Sequence, residues 1–430
     1  MVGCAPAPGV TRSPWSRRAR NRLSSHPPRL TRRAALIPAD SLPTTWRAAG
    51  PFRSLEVARL ERWACNSSEL VSAAAACTIV RTSEQEHLRV KAVYTELHRS
   101  HDPQFYLVRG VVKRTTEQPE RADRLLAGVK AGNHELVAPL HFGQEARARV
   151  HSPEFLTFLE EAWEAWAALG DAGTEMIPNM HPVRNAATYP THIVGRLGWH
   201  TTDTSAPIGP GTWEGACAAT DVAASAAQLL LDGEDAVYAL CRPPGHHAYR
   251  DIASGFCFMN NSAIAAAHLR QRHERVAILD VDVHHGNGTQ GIFYERPDVL
   301  TISIHADPTH YYPFVWGYAH ERGAGAGLGA NLNIPLPLKS GDDTYLKAFE
   351  TAAKTIHAFA PGALVVALGL DASEHDPLKG LAVTTPGFRR IGAAIARLGL
   401  PTVFVQEGGY LSDILGQNLT AVLAGFEEAR

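Results

Sequence analysis

The chain has 430 residues, 45% of them hydrophobic and 20% charged, with a formal net charge of −2. This is the composition of a soluble globular protein with enough apolar side chains for a large core, and it excludes a low-complexity or fibrous chain. No apolar run reaches the ~18 residues of a membrane span, and the six cysteines lack C-x-x-C spacing, so they read as reduced thiols in a cytoplasmic setting.

The near-zero charge conceals an asymmetry. Residues 1–85 contain 13 arginines, no lysine and 5 acidic residues, a balance of +8; the remainder holds 28 basic and 38 acidic residues, a balance of −10. The first 87 residues form an Arg-rich extension without a clear hydrophobic period. Its composition, before Ser54 above all, matches an organelle transit peptide, a disordered arm, or upstream sequence read through from a misplaced start. The acidic body argues against a nucleic-acid partner and suits a cationic small molecule better.

From Val90 onward the pattern changes. "VKAVYTE" reads as a first strand and "ERADRLLAGVKAG" as a helix closed by Gly132. "SPEFLTFLEEAWEAWAALG" reads as an amphipathic helix capped by Ser152, with Pro153 in its first turn and Gly170 at its end. Its Trp163 and Trp166 lie at helical spacing and read as core. A Pro-, Gly-, Thr- and His-rich segment of roughly 40 residues, 171–212, follows; loops this long are usually functional or disordered. After the helix "TWEGACAATDVAASAAQLLL", short strands and helices alternate: "AVYAL", "NNSAIAAAHLRQ", "VAILDVD", "GNGTQGIFYE", "VLTISIH", "DTYLKAFETAAKTIHAF", "ALVVALGLD", "GFRRIGAAIARLG" and "TVFVQEGG". Near-continuous apolar strands between helices predict one open parallel sheet with helices on both faces, in a single α/β domain spanning 88–430.

The strand ends carry the chemistry. In such sheets ligands bind beyond the carboxyl ends of the strands. In "VAILDVDVHHGNGTQ" the period of two sends Asp280, Asp282 and His284 to one side, and Val281 and Val283 to the other. Three buried ionisable groups are costly unless they pair with one another or hold a cation. Two carboxylates and one imidazole suit a catalytic cation with open positions, Zn²⁺ foremost, with Fe²⁺ or Co²⁺ compatible in ligand type. "VVALGLDASEHDP" ends in Asp371, "VFVQEGGYL" in Glu407 and Tyr410, and "YALCRPPGHHAY" in His246 and His247.

These motifs, "RPPGHH", "SGFCFMNN", "ILDVDVHHGNGTQ", "LGLD" and "QEGGY", occur in the order and spacing of the zinc-dependent histone deacetylase and acetylpolyamine amidohydrolase superfamily, which the chain resembles from about Val90 to its end. "PPGHH", Asn287, "GIFYERPDV" and "HPVRNAATYPTH…PIGPGTWE" resemble the bacterial acetylpolyamine amidohydrolases most. The resemblance implies an arginase/deacetylase-like fold and removal of acetyl groups from N-acetylated alkylamines, acetylpolyamines first and protein acetyl-lysine second. It implies Asp282, His284 and Asp371 as zinc ligands, and His246 and His247 as the tandem catalytic histidines. Asp280 would partner the first histidine, Asn287 would stand where other members have an aspartate beside the second, and Tyr410 would be the catalytic tyrosine. Phe256 and Tyr312, with Gly255, would line the substrate tunnel; the second wall is often Phe in the family. A structural K⁺ would use Asp280, Asp282, His284 and Ser303, and a second monovalent ion would lie near Phe293, Arg296 and Val299. The 171–212 insertion would form a homodimer and narrow the site. Asp203 would meet the amine tail, helped by Glu117 or Glu120, whereas "THIVGRLG" offers Val194 and Arg196 in place of a carboxylate.

Other readings are weaker. "GAGAGLGA" (323–330) contains a G-x-G-x-x-A match, but no strand leads into it, so it reads as a loop. A non-catalytic acyl-amine-binding scaffold would have lost a ligand, a histidine or the tyrosine, and none is missing. A binuclear manganese ureohydrolase would need more ligands than the chain supplies and has no use for Tyr410.

Overall fold

In the computed structural model residues 89–430 are described, so the reading of residues 1–87 lies outside the described residues. The strands are β1 (Lys91–Val93), β2 (Phe105–Val108), β3 (Val111–Arg114), β4 (Leu136–Val137), β5 (Ala236–Ala239), β6 (Val276–Asp280), β7 (Val299–Ala306), β8 (Asn331–Leu336), β9 (Ala363–Leu368) and β10 (Thr402–Gln406). The α-helices are α1 (Glu120–Ala131), α2 (Gly143–Ala148), α3 (Pro153–Ala167), α4 (Ile193–Trp199), α5 (Thr212–Leu231), α6 (Asn261–Leu269), α7 (Asn287–Phe293), α8 (Asp342–Phe359), α9 (Thr385–Ala396) and α10 (Leu415–Ala429). Eight strands form one sheet in the order β4-β1-β5-β10-β9-β6-β7-β8, with every neighbouring pair parallel. β2 and β3 make a separate antiparallel hairpin.

Strand alternation builds two cores. Ala277, Leu279, Leu364, Val366 and Phe404 pack with residues of α1, α8, α9 and α10. Val276, Ile278, Val365, Val403 and Val405 pack on the opposite face with α5 and α6. With both faces covered, neither needs a polar stripe, which is why the strands read as continuous apolar runs. Val281 and Val283 belong to the first core, as the period-two reading of that segment requires. Local signals set the helix ends: Ser152 Oγ accepts from the Phe155 amide at the start of α3, and Asn260 Oδ1 accepts from the Ala263 amide at the start of α6.

The structure departs from the sequence reading in several places. The 171–212 segment is not structureless: α4 forms within it, its buried Ile193 and Leu197 spaced four apart on one face. Trp163 and Trp166 are half-buried and pack against a third apolar cluster instead of sitting inside it. The reading named no strand at "NLNIPL", whose asparagines and Pro335 disfavour one; β8 forms there because it lies at the sheet edge, where proline is tolerated. The β2–β3 hairpin, α2 and the C-terminal α10 were also unnamed. "GAGAGLGA" is a loop with a single 3-10 turn, Gly325–Gly327, as expected. Among the described residues no helix is long and apolar enough to cross a membrane.

Candidate active site

The four strands that end in chemistry, β5, β10, β9 and β6, are consecutive neighbours at the centre of the sheet. Parallel pairing puts all their carboxyl ends on one rim. Asp282 and Asp371 are fully buried and His284 nearly so, and one ligand atom from each lies within 4.8 Å of the other two. His284 Nδ1 is 3.0 Å from Asp282 Oδ1 and 3.2 Å from Asp371 Oδ2, and that Asp371 oxygen has no hydrogen-bond partner. Asp282 Oδ2 accepts from the Gly408 amide at 2.7 Å, and Asp371 Oδ1 from the Val283 amide at 3.0 Å. A Cβ at Gly408 would collide with both carboxylates, so the chain passes this cluster without a side chain.

Two buried carboxylates facing one imidazole carry more negative charge than the imidazole can balance. Burial works to lower the pKa of His284, but Asp282 and Asp371 outweigh it and raise it to about 9; burial and the Asp282 charge push Asp371 up. A divalent cation with two oxygen ligands and one nitrogen ligand relieves this imbalance, so the residues fit such an ion.

The paired histidines differ in their support. His246 Nδ1 is 2.9 Å from Asp280 Oδ2, and His247 Nδ1 is 2.5 Å from Asn287 Oδ1. Burial opposes the charge on His246, yet Asp282 and Asp280 hold its pKa well above the ordinary value. His247 is pushed well below, first by burial and then by His246 and His284. The two members are thus biased in opposite directions, His246 toward the charged form and His247 toward the neutral one. Asn287 Nδ2 donates to the Tyr249 hydroxyl at 3.1 Å, which fixes its carbonyl oxygen as the acceptor toward His247.

Several residues that position this site were not singled out as such in the sequence. Glu407 Oε2 accepts from the Gly245 and His246 amides at 2.6 and 3.0 Å, and its Oε1 accepts from Ser262 Oγ at 2.7 Å, so it holds the turn carrying both histidines. The Tyr410 amide donates to Asp376 Oδ2 at 2.9 Å. Arg121 donates to the Gly409 and Glu407 carbonyls at 2.6 Å each and lies over the Tyr410 ring, 4.7 Å from its centroid. Glu117, expected to meet an amine, is instead fully buried between Arg121 and Arg242, 2.8 Å from each, and is closed to substrate. Glu120 is exposed at the start of α1. The signal missed was "TEQPER", where a glutamate lies four residues before an arginine, a spacing that suits an i,i+4 pair.

Phe256 and Tyr312 reach the same rim. The Phe256 ring is 5.9 Å from Tyr410, and the Tyr312 ring is edge-on to His247 at 5.0 Å. Gly255 and Phe256 both have positive φ, +53° and +67°. A side chain at Gly255 would strike the His247 ring. Phe256 bears the left-handed conformation with a bulky side chain, a strain on the order of 1–3 kcal/mol that its surroundings must offset. Asp203 lies beside this turn. Ser303 Oγ is 2.8 Å from His305 Nδ1 and lines, with Asp280, His285 and Gly286, a small cavity of about 10 Å³. Phe293 and Val299 are buried in the apolar layer under α5 and α6, and the Arg296 guanidinium lies 5.0 Å from the centroid of the Phe293 ring.

Known proteins resemble this chain in sequence and in fold. Residues 115–426 match the histone deacetylase domain family. The chain is 46% identical to acetylpolyamine amidohydrolase 1 of Pseudomonas aeruginosa over 79% of its own length and 99% of that protein. It is 41% identical to the acetylpolyamine amidohydrolase of Mycoplana ramosa over 78% of its length and 99% of that protein. The crystal structure of the acetylpolyamine aminohydrolase from Burkholderia pseudomallei superposes with a TM-score of 0.77 at 44% identity, covering 79% of this chain and 99% of the other. A buried two-aspartate, one-histidine cluster beside a pair of adjacent histidines, on this fold and at these identities, places the chain in the histone deacetylase family of amidohydrolases, alongside the acetylpolyamine amidohydrolases.

Proposed function

We propose that this protein hydrolyses the acetyl amide of N-acetylated alkylamines, acetylpolyamines before acetyl-lysine in proteins. The buried Asp282–His284–Asp371 cluster with His246 and His247 beside it, one backed by the Asp280 carboxylate and the other by the Asn287 amide, carries this reading, because amide hydrolysis needs a base and a positive charge at one place. Asp282, His284 and Asp371 would hold a divalent ion, Zn²⁺ by donor type, with Fe²⁺ the alternative. The chemistry such an ion supplies when bound is polarisation of the acetyl carbonyl and activation of a water.

The chain's own groups do the rest. Neutral His247 takes the proton of the attacking water and delivers it to the leaving amine. His246, biased toward its charged form by Asp282 and Asp280 and held in place by Asp280, stabilises negative charge growing beside it. The Tyr410 hydroxyl donates to the carbonyl oxygen as that oxygen becomes an oxyanion. Phe256 and Tyr312 flank a methylene chain and keep water from the reacting bond.

The test is a panel assay with the purified chain: N-acetylputrescine, N-acetylcadaverine, N8-acetylspermidine and an acetyl-lysine peptide, each with Zn²⁺ or Fe²⁺. Faster turnover of the peptide would reverse the substrate order, and no turnover of any would defeat the reading.

Two further outcomes follow from the site. Asn287→Asp places an anion on His247 Nδ1, so His247 keeps its proton to higher pH. The acidic limb of kcat/KM then moves up by about one to three pH units, and activity is lost at the low end of the profile; an unmoved limb would show that His247 is not the base. Stripping the ion with a chelator removes the charge that balances two buried carboxylates. The melting temperature should fall by on the order of 5 °C and recover with added Zn²⁺.

The cavity beside Asp280 and Ser303 suits a monovalent ion such as K⁺. The exposed Met180, Val183 and Tyr189 of the 171–212 segment support a homodimer through that segment, which the molar mass from sedimentation equilibrium would test. The free thiols of Cys217, Cys241 and Cys257 accord with a reducing, cytoplasmic setting.

A further inference from the structure

Asp203 was expected to receive the amine tail of the substrate. Its surroundings point elsewhere. Oδ2 accepts from the Tyr312 hydroxyl at 2.6 Å, Ser254 Oγ at 3.0 Å and the Gly255 amide at 3.2 Å. Oδ1 accepts from the Ser205 amide and Ser205 Oγ, both at 2.9 Å. Five protein donors occupy a carboxylate with about four lone-pair sites, leaving little capacity for an ammonium group.

The donors are not scattered. Tyr312 is one tunnel wall. Ser254 and Gly255 lead into Phe256, the other wall, and the Phe256 amide itself donates to the Ser205 carbonyl at 3.2 Å. Ser254 Oγ and the Tyr312 hydroxyl are also 2.8 Å apart, closing a ring of contacts with the carboxylate. The Asp203–Ser205 stretch thus ties both walls together from the end of the insertion, and it braces the one bulky residue of the turn that adopts a left-handed conformation.

We propose that Asp203 is a positioning residue that sets substrate specificity. It fixes the spacing of Phe256 and Tyr312, so that the tunnel admits an unbranched methylene chain and rejects a branched one, and it does not bind the amine. The substrate half of this inference rests on the deacetylase reading above; the bracing of the walls does not.

The experiment uses Asp203→Ala and Asp203→Asn in the full chain. Asparagine keeps the volume and serves if alanine fails to fold. Hydrogen exchange at the Gly255 and Phe256 amides reads the bracing directly, without substrate. It should accelerate by about tenfold in either variant. Turnover is then compared for N-acetylputrescine, its uncharged isostere N-pentylacetamide and the branched isomer N-(2-methylbutyl)acetamide. Both linear amides should lose kcat/KM together, and the linear-over-branched preference should shrink by about tenfold. Wild-type exchange at those amides, or a loss confined to the cationic substrate, overturns the proposal. Absence of turnover in the unaltered protein would defeat the substrate reading alone, and the exchange result would still decide the bracing.

Discussion

Tyr410→Phe should reduce kcat by about 100–1,000-fold while leaving metal content and the fold unchanged. The substitution removes one oxygen and no packing volume. The ring stays buried beneath Arg121 and against Phe256, and the backbone contact to Asp376 does not involve the side chain. Among the described residues the hydroxyl donates to no protein acceptor, so its loss orphans nothing. Burial, with the charges of Asp371, Asp282 and Asp376, pushes the phenol pKa well above the ordinary value, partly offset by Arg121, so the group remains a protonated donor across the working pH range. A donor that improves as charge grows on the carbonyl oxygen affects kcat more than KM. Single-turnover kinetics with metal analysis checks this. Unchanged kcat would remove Tyr410 from the mechanism.

Glu117→Ala should cost about 3–5 kcal/mol of stability, because it strands two buried guanidinium groups. Arg121, Arg242 and Glu117 are all buried, and His101 Nε2 lies 3.4 Å from the same carboxylate. Burial alone would raise the pKa of Glu117, but Arg242, His101 and Arg121 hold it well below the carboxylate range. A depressed folded-state value stabilises the protein above the unfolded value of about 4.3 and loses that effect as pH falls toward the folded value. The gap between the parent and Glu117→Gln should therefore be large at pH 7 and narrow in acid below about pH 4. Urea midpoints at two pH values measure it, and a gap that does not depend on pH would show that charge is not the cause. Arg121 also holds the carbonyls of Glu407 and Gly409, so surviving variants should lose kcat through a loosened Tyr410 loop.

The residues of the candidate site were legible because each lies at or just beyond the carboxyl end of a buried strand. A parallel strand buried on both faces reads as an apolar run, and its end shows as the first ionisable residues. Asp280, Asp282, His284 and Asp371 stand at such ends, the histidine pair and Tyr410 lie in the turns just beyond β5 and β10, and the sheet needed only to place β5, β10, β9 and β6 side by side. The braces were not legible in this way. Arg121 lies 288 residues from the Gly409 carbonyl it holds, and no local period signals such a contact. Elements supported mainly by their neighbours, such as the edge strand β8, likewise left a faint local mark.

The amino-acid order by itself determined the parallel α/β class, the donor types at the centre and the difference between Asp280 and Asn287 beside the two histidines, since these depend on side-chain chemistry and short-range periodicity. Only the tertiary structure decided what each buried charge faces. Glu117 and Asp203 are both acidic residues in loops that the sequence offers to an amine, Asp203 first and Glu117 as a helper. Packing encloses the first between two arginines and surrounds the second with five donors, because burial makes an unsatisfied carboxylate costly and the fold supplies partners from distant parts of the chain.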